Sequence, residues 1–329
     1  MPQTTESSNR RAQSWPFLRY ERFEETLRQA ASTWFEARGY TTAPGKGYCL
    51  QDLTQWPRNI ICPEVTDYIQ AHQADCRGKK TFLLHKYLHH GLSSQAMVFN
   101  LLGPLILRHD WEPLRSVVAK AGLPWPQGEI TAHLEFTDRS VFNEDTRQPT
   151  SIDLLLQGND GGSIFIEAKL AEKSFGGCSQ FANGNCAGAN PFPGHLDDCY
   201  LHYIGRTYWD LLKEQGFGHQ PILQGPICAF ANYYQFFREL AFARAQGGSF
   251  LLLHDQRNPS FLRPSITSGQ DQGLWTLLTA SLPEKHQSHI GRITIQDLVK
   301  AIEESRRHND WIEVFKAKYA LLGAETASA

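Results

Sequence analysis

The sequence contains no long hydrophobic run and no recognisable targeting segment. Among its 329 residues, no apolar stretch approaches the roughly 20 residues that a membrane-spanning helix needs. The N-terminal MPQTTESSNRRAQSWP lacks the apolar stretch of a signal peptide. We therefore expect a cytoplasmic protein with no membrane partner, and we expect residues 1–15 and 323–329 to be disordered ends.

The sequence also has no excess of positive charge. It contains 32 Lys and Arg against 34 Asp and Glu, a formal net charge of -2. This balance argues against a protein that wraps nucleic acid with a globally basic surface. Local basic clusters lie around residues 77–90 and 306–308. Each cluster could contact phosphate, or it could be a solvated helix surface or helix end.

Two common catalytic motifs are missing. Lys46 follows a Gly-containing turn, but the GxxxxGK[ST] pattern of a phosphate-binding loop is not there. His85 and His89 lie four residues apart in a helix-like segment, yet Lys86 occupies the position of the glutamate in HExxH. We interpret these histidines as surface or capping residues.

The composition, with 41% hydrophobic and 20% charged residues, is typical of a globular protein. Apolar periodicities predict strands and helices that form one domain over residues 16–322, and we expect an α/β protein of the α+β type with a mixed sheet. The strands are predicted at 130–137, 151–157, 163–170 and 249–254. The helices are predicted at 20–38, 64–76, 92–107 (broken near Gly103-Pro104), 111–121, 196–215, 231–246, 271–281, 295–307 and 310–322.

The second and third predicted strands carry three charged residues among apolar ones. The turn between them, residues 158–162, is rich in Gly, which tolerates positive φ. If the strands pair antiparallel about this turn, Asp153 lies opposite Glu167, with Cβ atoms roughly 5 Å apart. Lys169 emerges on the same face as Glu167. Such charges are costly on buried strands unless they are paired or bind metal; the alternative is a solvated hairpin edge.

An acid, a turn and Glu-x-Lys at the end of the next strand resemble the PD-(D/E)xK nuclease superfamily. Asp153, Glu167 and Lys169 occupy the motif positions, with Ser151-Ile152 where the family's loosely kept Pro would stand. The predicted element order matches the superfamily's α-β-β-β-α-β core, at about 92–255, with extra N- and C-terminal helices. Similarity to its bacterial restriction-endonuclease-like branch lies in residues 93–100, 175–178 and 234–238.

The resemblance implies a metal-dependent nuclease that hydrolyses DNA phosphodiester bonds, as an endonuclease in bacterial defence or DNA processing. Asp153, Glu167 and the Ala168 backbone carbonyl would bind Mg²⁺ or Mn²⁺, which stabilises developing charge and activates water. Lys169 would orient that water or stabilise the phosphorane. The implied partners are DNA and defence-system or DNA-processing proteins, and a homodimer is one option. The alternative is a nuclease-fold module that binds nucleic acid or a partner without catalysis.

A third acid is harder to identify. The superfamily often takes one from its first helix, and the N-terminal part of the 92–107 helix has none. Glu135, mid-strand among apolar residues one strand before Asp153, is the candidate; an exposed strand-edge acid is the alternative. Gln95 could replace the helix acid as a neutral ligand, and Gln180 lies after the hairpin. Without a third acid, one-metal chemistry would be favoured.

Four of the seven cysteines follow the hairpin, and three of these lie in a Gly-, Asn- and Pro-rich segment with little core-forming material. Such a segment needs a fixing device. Thiolates around Zn²⁺ or an iron–sulfur cluster would supply one, and some members of the superfamily carry a cysteine-bound cluster. The candidate ligands are Cys178, Cys186, Cys199 and Cys228, with His195 as a spare. Because C-x-x-C pairs are missing, unlinked thiols are the alternative, and a reducing compartment disfavours disulfides. Ordinary thiols are predicted at Cys49, Cys62 and Cys76.

Overall fold

The computed structural model describes residues 17–322 apart from 76–81, 147, 193, 266 and 281. The two predicted disordered ends, Cys76 and the basic residues 77–80 lie outside the described residues. No helix in the described part of the chain is long and apolar enough to span a membrane.

The chain begins with helices and one small hairpin. In order these are α1 (Tyr20–Glu36), β1 (Thr42–Ala43), β2 (Lys46–Leu50), α2 (Pro63–Asp75), α3 (Ser94–Leu107) and α4 (Glu112–Lys120). A 3-10 helix spans Leu53–Asn59. The predicted break in the third helix is wrong, because α3 continues through Pro104. This helix is buried along nearly its whole length, and packing of that kind outweighs local propensity.

A five-stranded mixed sheet forms the centre of the fold. Its strands are β3 (Ile130–Thr137), β4 (Ser151–Gly158), β5 (Ser163–Lys169), β6 (Ser249–His254) and β7 (Ile290–Thr294), in that spatial order. The first three are antiparallel, and β6 and β7 add parallel to β5. The predicted hairpin register is confirmed, with Leu155 opposite Phe165 and Gln157 opposite Ser163. The fold is the predicted α+β arrangement, with β7 as an unpredicted fifth strand.

Short helices precede one long helix between β5 and β6. They are α5 (Ser179–Ala182), α6 (Tyr200–Tyr203), α7 (Tyr208–Glu214), α8 (Pro221–Gln224) and α9 (Ala229–Ala245). Two 3-10 helices span Leu196–Asp198 and Phe217–His219. The single helix predicted over 196–215 is therefore wrong. Gly205 adopts φ 86 between α6 and α7, a conformation that ends a helix.

After β6 the chain forms α10 (Leu274–Thr279), α11 (Glu284–Gln287), then β7, α12 (Ile295–Ser305) and α13 (Ile312–Lys318). Two cores cover the two sheet faces. The first core joins Leu154, Ile166 and Leu253 to α1–α4, α12 and α13. The second core joins Leu155, Phe165 and Leu252 to α7, α9 and α10. Because both faces are covered, a charge on these strands is removed from water.

Candidate active site

Asp153 and Glu167 lie side by side on β4 and β5. The ladder between these strands ends at Leu154 opposite Ile166, so Asp153 and Glu167 occupy the next positions of the same register. Asp153 Oδ2 accepts a hydrogen bond from the Ala168 backbone N–H at 2.8 Å. The predicted opposition of the two acids follows from this register.

Glu135 adds a third acid at the same level. Pairing of β3 with β4 continues in one register on both sides of it, through Leu134 and Phe136, so Glu135 lies opposite Asp153. Its φ of 51 is uncommon for a non-glycine residue. Strand alternation fails here, since Leu134 enters the first core while Phe136 packs against the second. This local distortion, of a kind that clusters at functional sites, places the three acids in a row across three strands.

Two polar side chains hold the Glu135 carboxylate. Oε1 accepts a hydrogen bond from Gln95 Nε2 at 2.7 Å, and Oε2 accepts one from Ser151 Oγ at 3.1 Å. Gln95 is in turn fixed by backbone groups, accepting from the His85 N–H at 2.8 Å and donating to the Leu83 carbonyl at 3.2 Å. Helix α3 thus contributes the Gln95 amide, which orients the Glu135 carboxylate on β3.

Lys169, Glu167 and Gln235 form a closed hydrogen-bonded group. Lys169 Nζ donates to Glu167 Oε1 at 2.6 Å and to Gln235 Oε1 at 3.0 Å. Gln235 Nε2 donates to the same Glu167 oxygen at 2.7 Å. The exposed fractions of Glu167 and Lys169 are only 3% and 4%, so the solvated hairpin edge is excluded.

Burial and neighbouring carboxylates raise the pKa values of Glu135 and Asp153. Burial, followed by the charge of Glu167, raises the pKa of Glu135 to about 7, although hydrogen bonds from Gln95 and Ser151 oppose the shift. Burial and then the charges of Glu167 and Glu135 raise the pKa of Asp153 well above its usual range. The charge of Glu167 thus disfavours ionisation of both Glu135 and Asp153, which is the behaviour of acids close to another carboxylate.

The pKa values of two neighbouring groups, Glu239 and Lys169, are shifted as well. Burial and the charge of Glu167 raise the pKa of Glu239 well above its ordinary value. Burial alone would lower the pKa of Lys169, but the surrounding carboxylates, led by Glu167 and Glu172, outweigh it and raise the pKa. Lys169 is therefore a stable cation at neutral pH.

These groups open into a cavity of about 1010 Å³. Glu135, Asp153, Glu167 and Lys169 all line it. Cationic side chains also line it, namely Lys86, Arg206 and Arg238. An anionic substrate entering the cavity would meet cations on its walls and carboxylates at the sheet.

The donor set suits a hard divalent cation. Carboxylate oxygens are the ligands that Mg²⁺ and Mn²⁺ prefer. A bound cation would favour the ionised form of Glu135 and Asp153, whose pKa values are raised first by burial and then by neighbouring carboxylates. In the described part of the chain, no set of three or more His, Cys, Asp or Glu side chains already surrounds a common metal position. Asp153 Oδ2 and Glu167 Oε1 are engaged in hydrogen bonds, so a metal ion would share these oxygens or bind the second oxygen of each carboxylate.

Other predicted residues have mixed outcomes. Gln180 is buried and lines the cavity. His85 also lines it, but the expected helix there is wrong, because residues 82–93 form turns and a short bridge. Arg307 and His308 instead bind Asp110, each at 2.8 Å, and do not line the cavity.

Sequence reasoning missed residues contributed by α9. Gln235 and Arg238 belong to residues 234–238, where the sequence resembles the restriction-endonuclease-like branch. Gln235, Arg238 and Glu239 were not predicted as site residues from the sequence. The available signal was three polar residues close together in the apolar helix AFANYYQFFRELAFARA. Their role depended on knowing that α9 packs beside β5.

The structure also brings four predicted cysteines together. A second, small cavity is lined by Cys178, Cys186, Cys199 and Cys228. All four are free thiols, as are Cys49 and Cys62 elsewhere in the chain. His195 does not line this cavity.

One protein-family model matches most of the chain. It is described as Restriction Endonuclease associating with ARP, REase-ARP, and it covers residues 28–320. That range includes the five-stranded sheet and all the side chains of the acidic row. No curated protein and no solved structure matches.

Proposed function

Because this chain belongs to the REase-ARP family of restriction endonucleases, we propose that it is a Mg²⁺- or Mn²⁺-dependent endonuclease that hydrolyses DNA phosphodiester bonds. The observation that carries the proposal is the row of Glu135, Asp153 and Glu167 with Lys169 beside it in one cavity. A purely structural sheet would have no reason to place three acids at one level, with Glu167 buried and Glu135 and Asp153 partly buried, since such charges cost free energy without a counter-ion.

The side chains divide the work according to their contacts. Asp153 and Glu167, with the Ala168 carbonyl and Glu135 as further oxygens, would hold the metal. When bound, the ion stabilises the negative charge of the transition state and lowers the pKa of water. Lys169, cationic and buried, stabilises charge on the attacked phosphate and does not act as a base.

Two amides position these charged groups. Gln235 binds both Glu167 and Lys169, and this fixes the distance between the acid and the ammonium. Gln95 fixes Glu135 in the same way. Arg238 on the cavity wall would be available to a phosphate group beside the scissile one, whereas Arg206 is buried and already paired with Asp145 at 2.7 Å.

The family description names an association with ARP. We propose that DNA is the substrate and that a partner protein of this kind assists in a cytoplasmic role in defence or DNA processing. A homodimer would let two such sites cut both strands, and sedimentation of the purified chain would test it. The second candidate function is DNA binding without cleavage.

The test is cleavage of closed-circular and linear DNA with Mg²⁺ or Mn²⁺. The key variant is Lys169→Met, which removes the charge and keeps most of the volume. Its matched control is Lys318→Met, because Lys318 is equally buried but does not line the cavity. We expect wild type and Lys318→Met to cut the circle and Lys169→Met to lose about 10²–10³-fold in rate.

Cleavage unchanged in Lys169→Met would refute the role of Lys169. If no variant cleaves but all retard DNA in a gel, the chain is the binding module. Cutting of linear DNA alone would show an exonuclease.

A further inference from the structure

The four cysteines after the hairpin come from four separate places in the chain and meet at one small cavity. Cys178 precedes α5, Cys199 precedes α6, Cys228 precedes α9, and Cys186 lies in the loop after α5. Gln180 and Tyr200 line the same cavity, and the remaining lining residues are apolar. Four thiols from four segments are the ligand number of a structural zinc site.

The size of this cavity selects among ligands. Its volume is about 20 Å³, and a single water-sized atom needs roughly 10–15 Å³ by the same kind of measure. One metal ion fits, whereas a cluster of several irons and sulfides is much larger. Size thus favours one ion over an iron–sulfur cluster.

Backbone N–H groups are directed at three of the sulfurs. Cys186 Sγ accepts a hydrogen bond from the Gly188 N–H at 3.3 Å. Backbone N–H groups of residues 180–181 form hydrogen bonds to Cys178, and those of residues 230–231 form hydrogen bonds to Cys228. Hydrogen bonds of this kind orient the sulfur atoms of metal-binding cysteines.

We propose that Cys178, Cys186, Cys199 and Cys228 bind one structural Zn²⁺. No three His, Cys, Asp or Glu side chains within the described residues already surround a metal position, so the thiols must rotate about their Cα–Cβ bonds to close on the ion. Such rotation moves the sulfurs between staggered positions without moving the helices.

The zinc site would stabilise the wall of the larger cavity, which Glu135, Asp153 and Glu167 line. Gln180 and Leu201 line both cavities, and Cys228 lies at the start of the helix that carries Gln235. A Zn²⁺ ion would cross-link the starts of α5, α6 and α9 in a segment that otherwise has few core residues. The inference does not rest on the nuclease activity, because a silent DNA-binding module would need the same brace.

The test is the metal content of the full chain purified under reducing conditions. We expect about one zinc per chain in the wild type, and nearly none in Cys186→Ser or Cys199→Ser, which change the two half-buried thiols. The matched control is Cys49→Ser, a buried cysteine outside the cavity, which should keep its zinc. Zinc added to chelator-treated wild type should raise its melting temperature.

A second measurement covers the case in which the serine variants do not fold. Wild type refilled with Co²⁺ should show the strong absorption of tetrahedral thiolate coordination. No zinc in the wild type together with no uptake of Zn²⁺ or Co²⁺ overturns the proposal. Zinc retained by a folded Cys186→Ser variant overturns it too, and so does a brown protein that contains iron and sulfide.

Discussion

Replacing Glu135 with Gln should stabilise the metal-free protein at neutral pH while impairing its chemistry. Burial and neighbouring acids raise the pKa of Glu135 from 4.5 to about 7, so its ionised form is costly in the folded chain. Glutamine keeps the shape and the hydrogen bonding to Ser151 or Gln95 without the charge. The same substitution removes a proposed metal ligand.

The magnitude follows from proton linkage. A rise from 4.5 to about 7 is worth about 3 kcal/mol, at 1.36 kcal/mol per unit. The folded state binds this proton more tightly than the unfolded state, so the free energy of unfolding falls as pH rises from 4.5 to 7 and is level above. The glutamine side chain of the variant does not titrate. The free energy of unfolding of the variant should therefore exceed that of the wild type by up to about 3 kcal/mol at pH 8 and equal it near pH 4.5.

The assay is thermal and urea unfolding at pH 4.5 and pH 8 without divalent metal. For a chain of this length, about 3 kcal/mol corresponds to roughly 5 °C in melting temperature. Glu129→Gln, an exposed carboxyl just before the same strand, should show no such pH-dependent gain. Equal pH slopes for wild type and Glu135→Gln would refute the reasoning, because folding would then not raise the pKa of Glu135.

Three further predictions concern other buried charges. Asp153→Asn should abolish cleavage and raise the melting temperature at pH 7, because burial raises the pKa of Asp153; a less stable variant would contradict this. Burial lowers the pKa of Lys318 well below its usual value, so the free energy of unfolding of the wild type should rise with pH up to about 10.4. Urea unfolding of Lys318→Met should lack this rise, because methionine does not titrate. Arg257→Ala should cost about 3–5 kcal/mol in urea unfolding, since it leaves the Asp255 carboxylate buried without its partner at 2.6 Å; a loss below about 1 kcal/mol would show that water replaces the guanidinium.

The hairpin at the site was predictable because its determinants are local. Asp153 and Glu167 are separated by one Gly-rich turn, and a period of two fixes which residues face each other once the turn is centred. Glu135 could be proposed because β3 directly precedes the hairpin. Its positive φ could not be inferred, since nothing in the surrounding residues requires it.

Other parts of the fold were beyond local reasoning. β7 has the sequence IGRIT, in which Gly and Arg interrupt the apolar pattern expected of a strand. It forms a strand because it pairs in parallel with the edge of β6. The helix predicted at 196–215 divides because Gly205 ends α6 and the chain turns into α7. In each case a contact distant in sequence overrides the local preference.

The sequence by itself determined the paired acids, the lysine beside them and the type of sheet, because strand alternation and turn chemistry act over a few residues. Tertiary structure alone decided that Gln235, 66 residues beyond Lys169, completes the acid–lysine group, and that four scattered cysteines share one cavity. Those contacts depend on how α9 and the cysteine segment pack over the sheet. Packing of this kind arises from the whole core, and no local pattern encodes it.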